Sequence, residues 1–127
     1  MKQILILGCG YVGSAYAIAA RNSGHSIRAV TRNAEKIEWL ESNGVSAFQG
    51  RVDSSEWYEF AGEDIDWVLN CVSASEPGVA GYRASYVDGN RFLANWMLRT
   101  GFEGRAIYTS SVSVYPDRGG EWCSEKD

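Results

Sequence analysis

An apolar run that ends in a glycine-rich motif lies close to the amino terminus of this chain. Residues 2–7 predict a β-strand, residues 8–13 are Gly-Cys-Gly-Tyr-Val-Gly, and residues 14–21 predict a helix. In a Gly-x-Gly-x-x-Gly turn between such elements, the first glycine allows a sharp bend, the second leaves room for a phosphate group, and the third permits close packing of the helix. The motif therefore predicts a nucleotide site with phosphates on the helix N-terminus, and a glycine turn without a ligand is the alternative.

Strands and helices are predicted to alternate along the rest of the chain. β-Rich runs bounded by turn residues predict further strands at residues 26–31, 45–49, 65–71 and 105–109. Apolar residues at helical spacing predict helices at residues 33–42 and 79–100, with a short connector at residues 53–60. This alternation, with right-handed crossovers, predicts an α/β fold: a Rossmann-type doubly wound parallel sheet with strand order 3-2-1-4-5, helices on both faces, and one domain over residues 1–127.

The size and charge of the chain exclude several classes of partner. Its 127 residues suffice for one domain, and a formal net charge of −4 gives no electrostatic reason to expect nucleic acid or an anionic membrane. No apolar run approaches the length that spans a bilayer, and the N-terminus leads directly into the first strand, so we expect no membrane partner and a cytoplasmic protein. Three cysteines without metal-type spacing predict a reduced protein with no metal site.

The carboxyl ends of the predicted strands are where a doubly wound sheet binds its ligands, near the point where the strand order reverses. This rule selects the loops after all five predicted strands, which follow Leu7, Val30, Gln49, Asn70 and Thr109. The predicted cofactor-binding residues are Gly8, Gly10, Tyr11, Val12, Gly13, Thr31, Arg32, Asn33, Arg51, Val52, Asp53, Cys71, Val72 and Ser73.

Arg32, at the end of the second predicted strand, indicates which dinucleotide binds. A cofactor with a free 2′-hydroxyl normally meets an acidic residue about 20 residues beyond the glycines, but this chain has none there before Glu35. Arg32 instead offers a planar charged group suited to a 2′-phosphate, which favours NADP, with NAD as the alternative. A solvent-facing Arg32 is the simpler interpretation. Arg51 could add a second cation or be exposed, and Asp53 could accept a hydrogen bond from the adenine amino group or cap a helix.

Three segments carry a resemblance to a known family. They are residues 8–13, residues 66–74 (Asp-Trp-Val-Leu-Asn-Cys-Val-Ser-Ala) and residues 107–115 (Ile-Tyr-Thr-Ser-Ser-Val-Ser-Val-Tyr). Together they resemble the extended or atypical short-chain dehydrogenase/reductase family, the NAD(P)-dependent epimerase/dehydratase-like proteins. The third segment is similar to the family's Ser-Ser-x-x-Val-Tyr motif, and the resemblance implies that Ser111, or alternatively Ser110, is the catalytic serine that hydrogen-bonds the substrate oxygen. The resemblance covers essentially the whole chain but only the N-terminal portion of the family.

The family's catalytic Tyr-x-x-x-Lys pair is missing, since none of the seven tyrosines has a lysine four residues later. The glycine motif has the tighter form of an atypical subgroup, and Tyr86 stands where the family has the asparagine of Asn-Val-x-Gly. In the family the lysine lowers the pKa of a tyrosine that acts as acid or base, and an unassisted tyrosine with a pKa of about 10 is a poor base at neutral pH. We therefore expect an NAD(P)-binding domain truncated before the catalytic pair and the substrate-binding portion, which binds cofactor without turnover.

Two functions are compatible with these motifs. The first is the NADP-binding portion of an epimerase, dehydratase or reductase that acts on a sugar nucleotide or a similar hydroxyl or carbonyl compound, with this small molecule bound only when the chain is completed. The second is a non-catalytic NAD(P)-binding sensor or regulatory module. A domain without a ligand leaves the joint occurrence of the glycine and serine motifs unexplained. If a C-terminal portion normally covers the sheet edge beyond the fifth strand, the chain should form a homo-oligomer.

Overall fold

Five parallel strands form one sheet in the order β3-β2-β1-β4-β5. The computed structural model describes residues 1–111 and 115–127, and every neighbouring pair of strands in that part of the chain is parallel. The strands are β1 (Gln3–Leu7), β2 (Ser26–Thr31), β3 (Ser46–Gln49), β4 (Trp67–Asn70) and β5 (Arg105–Tyr108). The predicted fold class and strand order are confirmed, and the order reverses between β1 and β4.

The connections between the strands are helical. They contain α1 (Tyr11–Asn22), α2 (Ala34–Ser42), α3 (Tyr58–Ala61), α4 (Val79–Tyr82) and α5 (Gly89–Thr100), and a π-helical segment (Arg83–Asp88) joins α4 to α5 without a break. The sequence predicted one regular helix over residues 79–100, because the spacing of apolar residues does not distinguish a π-helical turn from an α-helical one. None of the described helices is long and apolar enough to cross a membrane.

Helix α1 begins inside the glycine motif, at Tyr11, whereas the sequence predicted its start at residue 14. Gly10 is the residue that precedes the helix, and its carbonyl accepts a hydrogen bond of 3.1 Å from the Ser14 N–H. Gly10 has no side chain with which to cap the helix, and the first turn contains no acidic residue. The positive end of the helix dipole is therefore not compensated by a side chain of its own first turn.

Two apolar clusters bury the sheet, one on each face. Alternate residues of β1 point to opposite faces, so that Ile4 packs with α1 and α2 while Leu5 packs with Trp57 and Trp96. A strand covered on both sides needs apolar residues on both of its faces, which is why the four buried residues of β1, Ile4 to Leu7, are all apolar. This double cover confirms the helices predicted on both faces.

Strand β5 forms the open edge of the sheet, and all four of its residues are exposed. The side chain of Ile107 is the most prominent apolar group there, with 64% of its surface exposed. An unpaired strand edge with exposed apolar groups can pair with another chain. The homo-oligomer expected from the sequence stays a prediction.

Candidate functional site

A cleft opens at the carboxyl ends of the strands, beside the point where the strand order reverses. It has a volume of about 190 Å³ and receives residues from the segments after β1, β2, β3 and β4 and from the π-helical segment. Its lining residues are Gly8, Cys9, Gly10, Val30, Thr31, Arg32, Asn33, Gly50, Arg51, Val52, Asp53, Cys71, Val72, Ser73, Ser75, Ala84 and Ser85. The structure therefore brings together most of the residues that the sequence selected.

Gly8 and Gly13 are required by the backbone itself. Gly8 has φ +89°, and a Cβ atom there would lie 2.8 Å from the Cα of Val72. A Cβ atom on Gly13 would overlap the carbonyl oxygen of Gly8 and lie 2.9 Å from the Sγ of Cys71. These two glycines let the chain turn off β1 and let α1 pack against the turn, as the motif predicted.

Gly10 has no such structural reason to be glycine. Its φ of −77° lies outside the left-handed region that favours glycine, and, apart from Gly10 and its two chain neighbours, no heavy atom of the described residues lies within 4 Å of the position that a Cβ atom would occupy. Because Gly10 lines the cleft, that Cβ would project into open space at the N-terminus of α1. A glycine here leaves the N–H groups of the first helical turn accessible to an anion, which is what a pyrophosphate needs.

Arg32 extends across the cleft from the end of β2 to the segment after β4. Its Nη1 and Nη2 atoms both donate to the carbonyl oxygen of Ser75, at 3.4 Å each. The Ser75 N–H in turn donates to the buried hydroxyl of Ser85 at 2.9 Å, which fixes this segment to the π-helical segment. Within residues 1–111 and 115–127, Arg32 forms no ion pair with a carboxylate. Its charge is thus available at the mouth of the cleft.

Arg51, by contrast, is paired with Asp53. Its Nε and Nη2 atoms donate to the two carboxylate oxygens of Asp53 at 2.8 and 3.0 Å. These hydrogen bonds hold the pKa of the Asp53 carboxyl below its usual range and raise that of Arg51. Of the two interpretations left open for Arg51, exposure describes its side chain, which is 53% exposed, and a second cation for the ligand stays the alternative.

The two thiols at the cleft are neutral; Cys9 is buried and Cys71 is half-buried. Burial raises the pKa of the Cys9 thiol to about 12, with a smaller contribution from Cys71, and burial also raises the pKa of Cys71. The Cys71 Sγ donates a hydrogen bond of 3.0 Å to the Gly8 carbonyl. Cys71 thus joins the end of β4 to the glycine turn and provides no thiolate nucleophile.

Some predicted site residues lie outside the cleft. Tyr11 is 94% exposed, and Val12 faces an apolar groove beside β4 and β5, while Gly13 is buried under the turn. Phosphate binding by the backbone N–H groups of these three residues stays a prediction. Ser110 and Ser111 follow β5 at the same edge of the sheet, next to Thr109, whose N–H donates to the Asn70 carbonyl at 3.0 Å. The remaining part of the serine motif, residues 112–114, lies outside the described residues.

The sequence missed several residues that line the cleft. Gly50 directly follows β3, and its position next to Arg51 was a usable signal. Ser75, Ala84 and Ser85 gave none, because they reach the cleft only through the π-helical segment and the hydrogen bond that joins Ser75 to it. In the described part of the chain, no group of side chains is arranged to hold a metal ion.

Known proteins share both the sequence pattern and the fold of this chain. The sequence profile of the NAD dependent epimerase/dehydratase family matches residues 4–127. No curated protein matches the chain. The profile therefore covers nearly the whole sequence, including the glycine motif and the cleft.

Similar solved structures include two UDP-glucose 4-epimerases. The enzyme from Stenotrophomonas maltophila, with bound NAD and formylated UDP-arabinopyranose, is 20% identical at a TM-score of 0.75, over 94% of this chain and 40% of that one. The enzyme from Bifidobacterium longum, in complex with NAD+ and UDP, is 24% identical at a TM-score of 0.71, over 89% of this chain and 38% of that one. The Bordetella bronchiseptica enzyme WbmG, in complex with NAD, is 24% identical at 0.70, over 84% and 36%. The chain spans about 40% of the length of these relatives, and the likeness at such identities concerns the fold.

Proposed function

The chain belongs to the NAD dependent epimerase/dehydratase family, and we propose that its cleft binds a nicotinamide adenine dinucleotide, with NADP preferred over NAD. The family match confirms the resemblance carried by the glycine, strand-4 and serine motifs. The observation that carries the proposal is the open space at Gly10, where no neighbouring residue excludes a side chain. A residue kept without a side chain at an uncapped helix N-terminus fits a ligand phosphate that approaches the backbone closely.

Each part of the dinucleotide has a group in the cleft that fits its chemistry. The pyrophosphate would lie on the N-terminus of α1 beside Gly10, where the helix dipole favours negative charge. Asp53, an acceptor with two carboxylate oxygens, would face the adenine amino group. Arg32 would take the 2′-phosphate of NADP, because among the described residues its guanidinium bonds only to the Ser75 carbonyl, and a phosphate dianion is a stronger acceptor than a neutral carbonyl. The alternative is that the cleft binds NAD and that Arg32 faces solvent.

The whole enzyme's chemistry is a separate part of the proposal. A bound dinucleotide supplies a hydride acceptor or donor to a hydroxyl or carbonyl compound. Ser111, or alternatively Ser110, would hydrogen-bond the oxygen of that compound once residues that complete the site are present. The family and the UDP-linked ligands in two related structures support a sugar nucleotide or a similar substrate. These 127 residues contain no Tyr-x-x-x-Lys, and on their own we expect cofactor binding without turnover.

A titration tests the binding proposal directly. NADPH and NADH are added to the protein while tryptophan fluorescence is followed, and the expected result is saturable binding that is tighter for NADPH by about tenfold. Gly10→Val should weaken binding of both by at least about tenfold, while its circular dichroism stays that of the parent. Ala15→Val, at an exposed position of the same helix, is the matched control and should bind normally. Unchanged affinity in Gly10→Val would place the phosphates elsewhere.

A second function, a non-catalytic NAD(P)-binding sensor or regulatory module, would use the same glycine motif. Both functions use the same cleft, so binding does not separate them. The coding sequence after Asp127 does: a downstream Tyr-x-x-x-Lys in frame supports the enzyme, and a stop codon there supports the sensor.

A further inference from the structure

Two arginines line the cleft, and their surroundings differ in a way that assigns them different tasks. We infer that Arg51 is a positioning residue that holds the Asp53 carboxylate for the adenine ring, and that Arg32 alone reads the 2′-phosphate. The inference rests on the proposed dinucleotide site and specifies which residue distinguishes which part of the ligand.

The segment after β3 is held in one shape by its own hydrogen bonds. The Arg51 N–H donates to the Glu56 carboxylate at 2.7 Å, and the Ser54 hydroxyl donates to the Arg51 carbonyl at 3.0 Å. The Gly50 N–H donates to the Thr31 carbonyl at 2.9 Å, which ties the segment to the end of β2. The backbone on both sides of the Arg51 side chain is therefore fixed before any ligand arrives.

The Arg51 side chain uses this fixed backbone to hold Asp53. Its two hydrogen bonds, at 2.8 and 3.0 Å, form a bidentate pair, the geometry in which a guanidinium orients a carboxylate best. The Asp53 side chain is 20% exposed and that of Arg51 is 53% exposed, so the carboxylate is the more enclosed partner. A carboxylate offers about four lone-pair directions, and Arg51 uses two of them. Asp53 keeps acceptor capacity for a ligand.

Recruiting Arg51 to a 2′-phosphate would disrupt this arrangement. The bidentate pair would have to break, and the freed Asp53 carboxylate would lie near the phosphate dianion, where like charges repel. Arg32 breaks no ion pair in binding the phosphate, because it gives up only two 3.4 Å contacts to a neutral carbonyl. The contacts therefore favour Arg32 as the phosphate ligand and Asp53, held by Arg51, as the ligand of the base.

The exocyclic group of the base provides a chemical readout of Asp53. Adenine has an amino group there, which donates to a carboxylate, whereas hypoxanthine has a carbonyl oxygen there, which repels a carboxylate, and carries its N–H donor at the neighbouring N1 position. Affinities of NADPH and NADH and of their hypoxanthine analogues therefore give two independent ratios. The adenine-to-hypoxanthine ratio reports on Asp53 and its support, and the NADPH-to-NADH ratio reports on the 2′-phosphate.

The experiment measures both ratios for the parent protein, Arg51→Gln and Arg32→Gln by tryptophan fluorescence. We expect the parent to prefer adenine by about tenfold, Arg51→Gln to lose most of that preference and keep its NADPH-to-NADH ratio, and Arg32→Gln to show the reverse. Arg51→Lys, which keeps the charge without the bidentate geometry, should recover only part of the adenine preference. Circular dichroism confirms that each variant is folded.

Three outcomes would overturn the inference. A parent protein that binds adenine and hypoxanthine dinucleotides equally removes Asp53 from the base. An Arg51→Gln variant with an unchanged adenine preference removes Arg51 from its positioning task. An Arg51→Gln variant whose NADPH-to-NADH ratio falls as far as that of Arg32→Gln makes Arg51 a phosphate ligand. A parent that binds none of the four dinucleotides contradicts the proposed function itself.

Discussion

The Cα of Gly13 packs directly against the carbonyl oxygen of Gly8, so that a Cβ atom at position 13 would overlap that oxygen. Both residues belong to the glycine turn, and the contact sets how closely α1 approaches the end of β1. The same turn contains Gly10, whose missing side chain leaves open space. Two glycines of one motif therefore differ in what they do: Gly13 serves the fold, and Gly10 serves the proposed ligand.

Gly13→Ala should destabilise the protein by about 1–3 kcal/mol or more, because the backbone oxygen cannot move aside as a flexible side chain would. Gly10→Ala should change the free energy of unfolding by less than about 0.5 kcal/mol. Urea denaturation followed by tryptophan fluorescence measures both. Equal losses in the two variants would mean that the turn relaxes as a unit and that the contact to Gly8 has no special cost.

Much of this arrangement was predictable from the sequence, because local patterns determine it. The strand order follows from alternating strands and helices, and the turn of Gly8 follows from its place between β1 and α1. The pairing of Arg51 with Asp53 was not predictable, since two residues at that spacing can equally face apart. The same holds for Ser85, which lines the cleft because a π-helical turn rotates it there, and a π-helical turn leaves no mark in apolar periodicity.

A hydrogen bond between two asparagine side chains joins the end of β4 to α5. The Asn70 side chain is buried; its Nδ2 donates to the Asn90 Oδ1 at 2.8 Å, and the Asn90 Nδ2 donates to the Tyr86 carbonyl at 2.7 Å. Asn90→Ala should cost about 1–3 kcal/mol, because it leaves a buried donor of Asn70 without its acceptor. Asn95→Ala, on the exposed side of the same helix, is the matched control and should be nearly neutral in the same urea titration. A neutral Asn90→Ala would show that water replaces the lost acceptor.

The ion pair of Arg28 and Asp64 predicts a dependence of stability on acidic pH. Arg28 donates to both Asp64 carboxylate oxygens, at 2.6 and 3.2 Å, and these bonds hold the pKa of Asp64 below its usual range. The stabilisation is therefore present above the unfolded pKa of about 3.9 and is lost as pH falls through the lower folded pKa. Because the Asp64 side chain is 62% exposed, Asp64→Asn should cost no more than about 1 kcal/mol at neutral pH.

The difference in the free energy of unfolding between Asp64→Asn and the parent, measured in urea titrations, should shrink toward zero once the pH lies below the folded pKa of Asp64. Glu63→Gln serves as the control, because Glu63 is exposed and forms no ion pair within the described residues. A difference that stays constant from neutral to strongly acidic pH would assign the effect of Asp64→Asn to packing or backbone contacts instead of charge.

The buried thiol of Cys9 predicts the opposite dependence at alkaline pH. Its folded pKa is about 12, whereas an unfolded cysteine ionises at about 8.5, so between these values the unfolded state releases a proton that the folded state retains. Stability contributed by the neutral thiol is complete below the unfolded pKa and declines as pH rises toward the folded one, with a slope of up to about 1.4 kcal/mol per pH unit. Cys9→Ala should remove this part of the slope in urea titrations between pH of about 8 and 10.

Alkylation gives a second measurement on the same thiol. Since Cys9 is only 5% exposed, its reaction with iodoacetamide at pH of about 8, followed by mass spectrometry, should require unfolding of the protein. Rapid alkylation of folded protein there, or an unchanged slope in Cys9→Ala, would show that Cys9 does not titrate as a buried group.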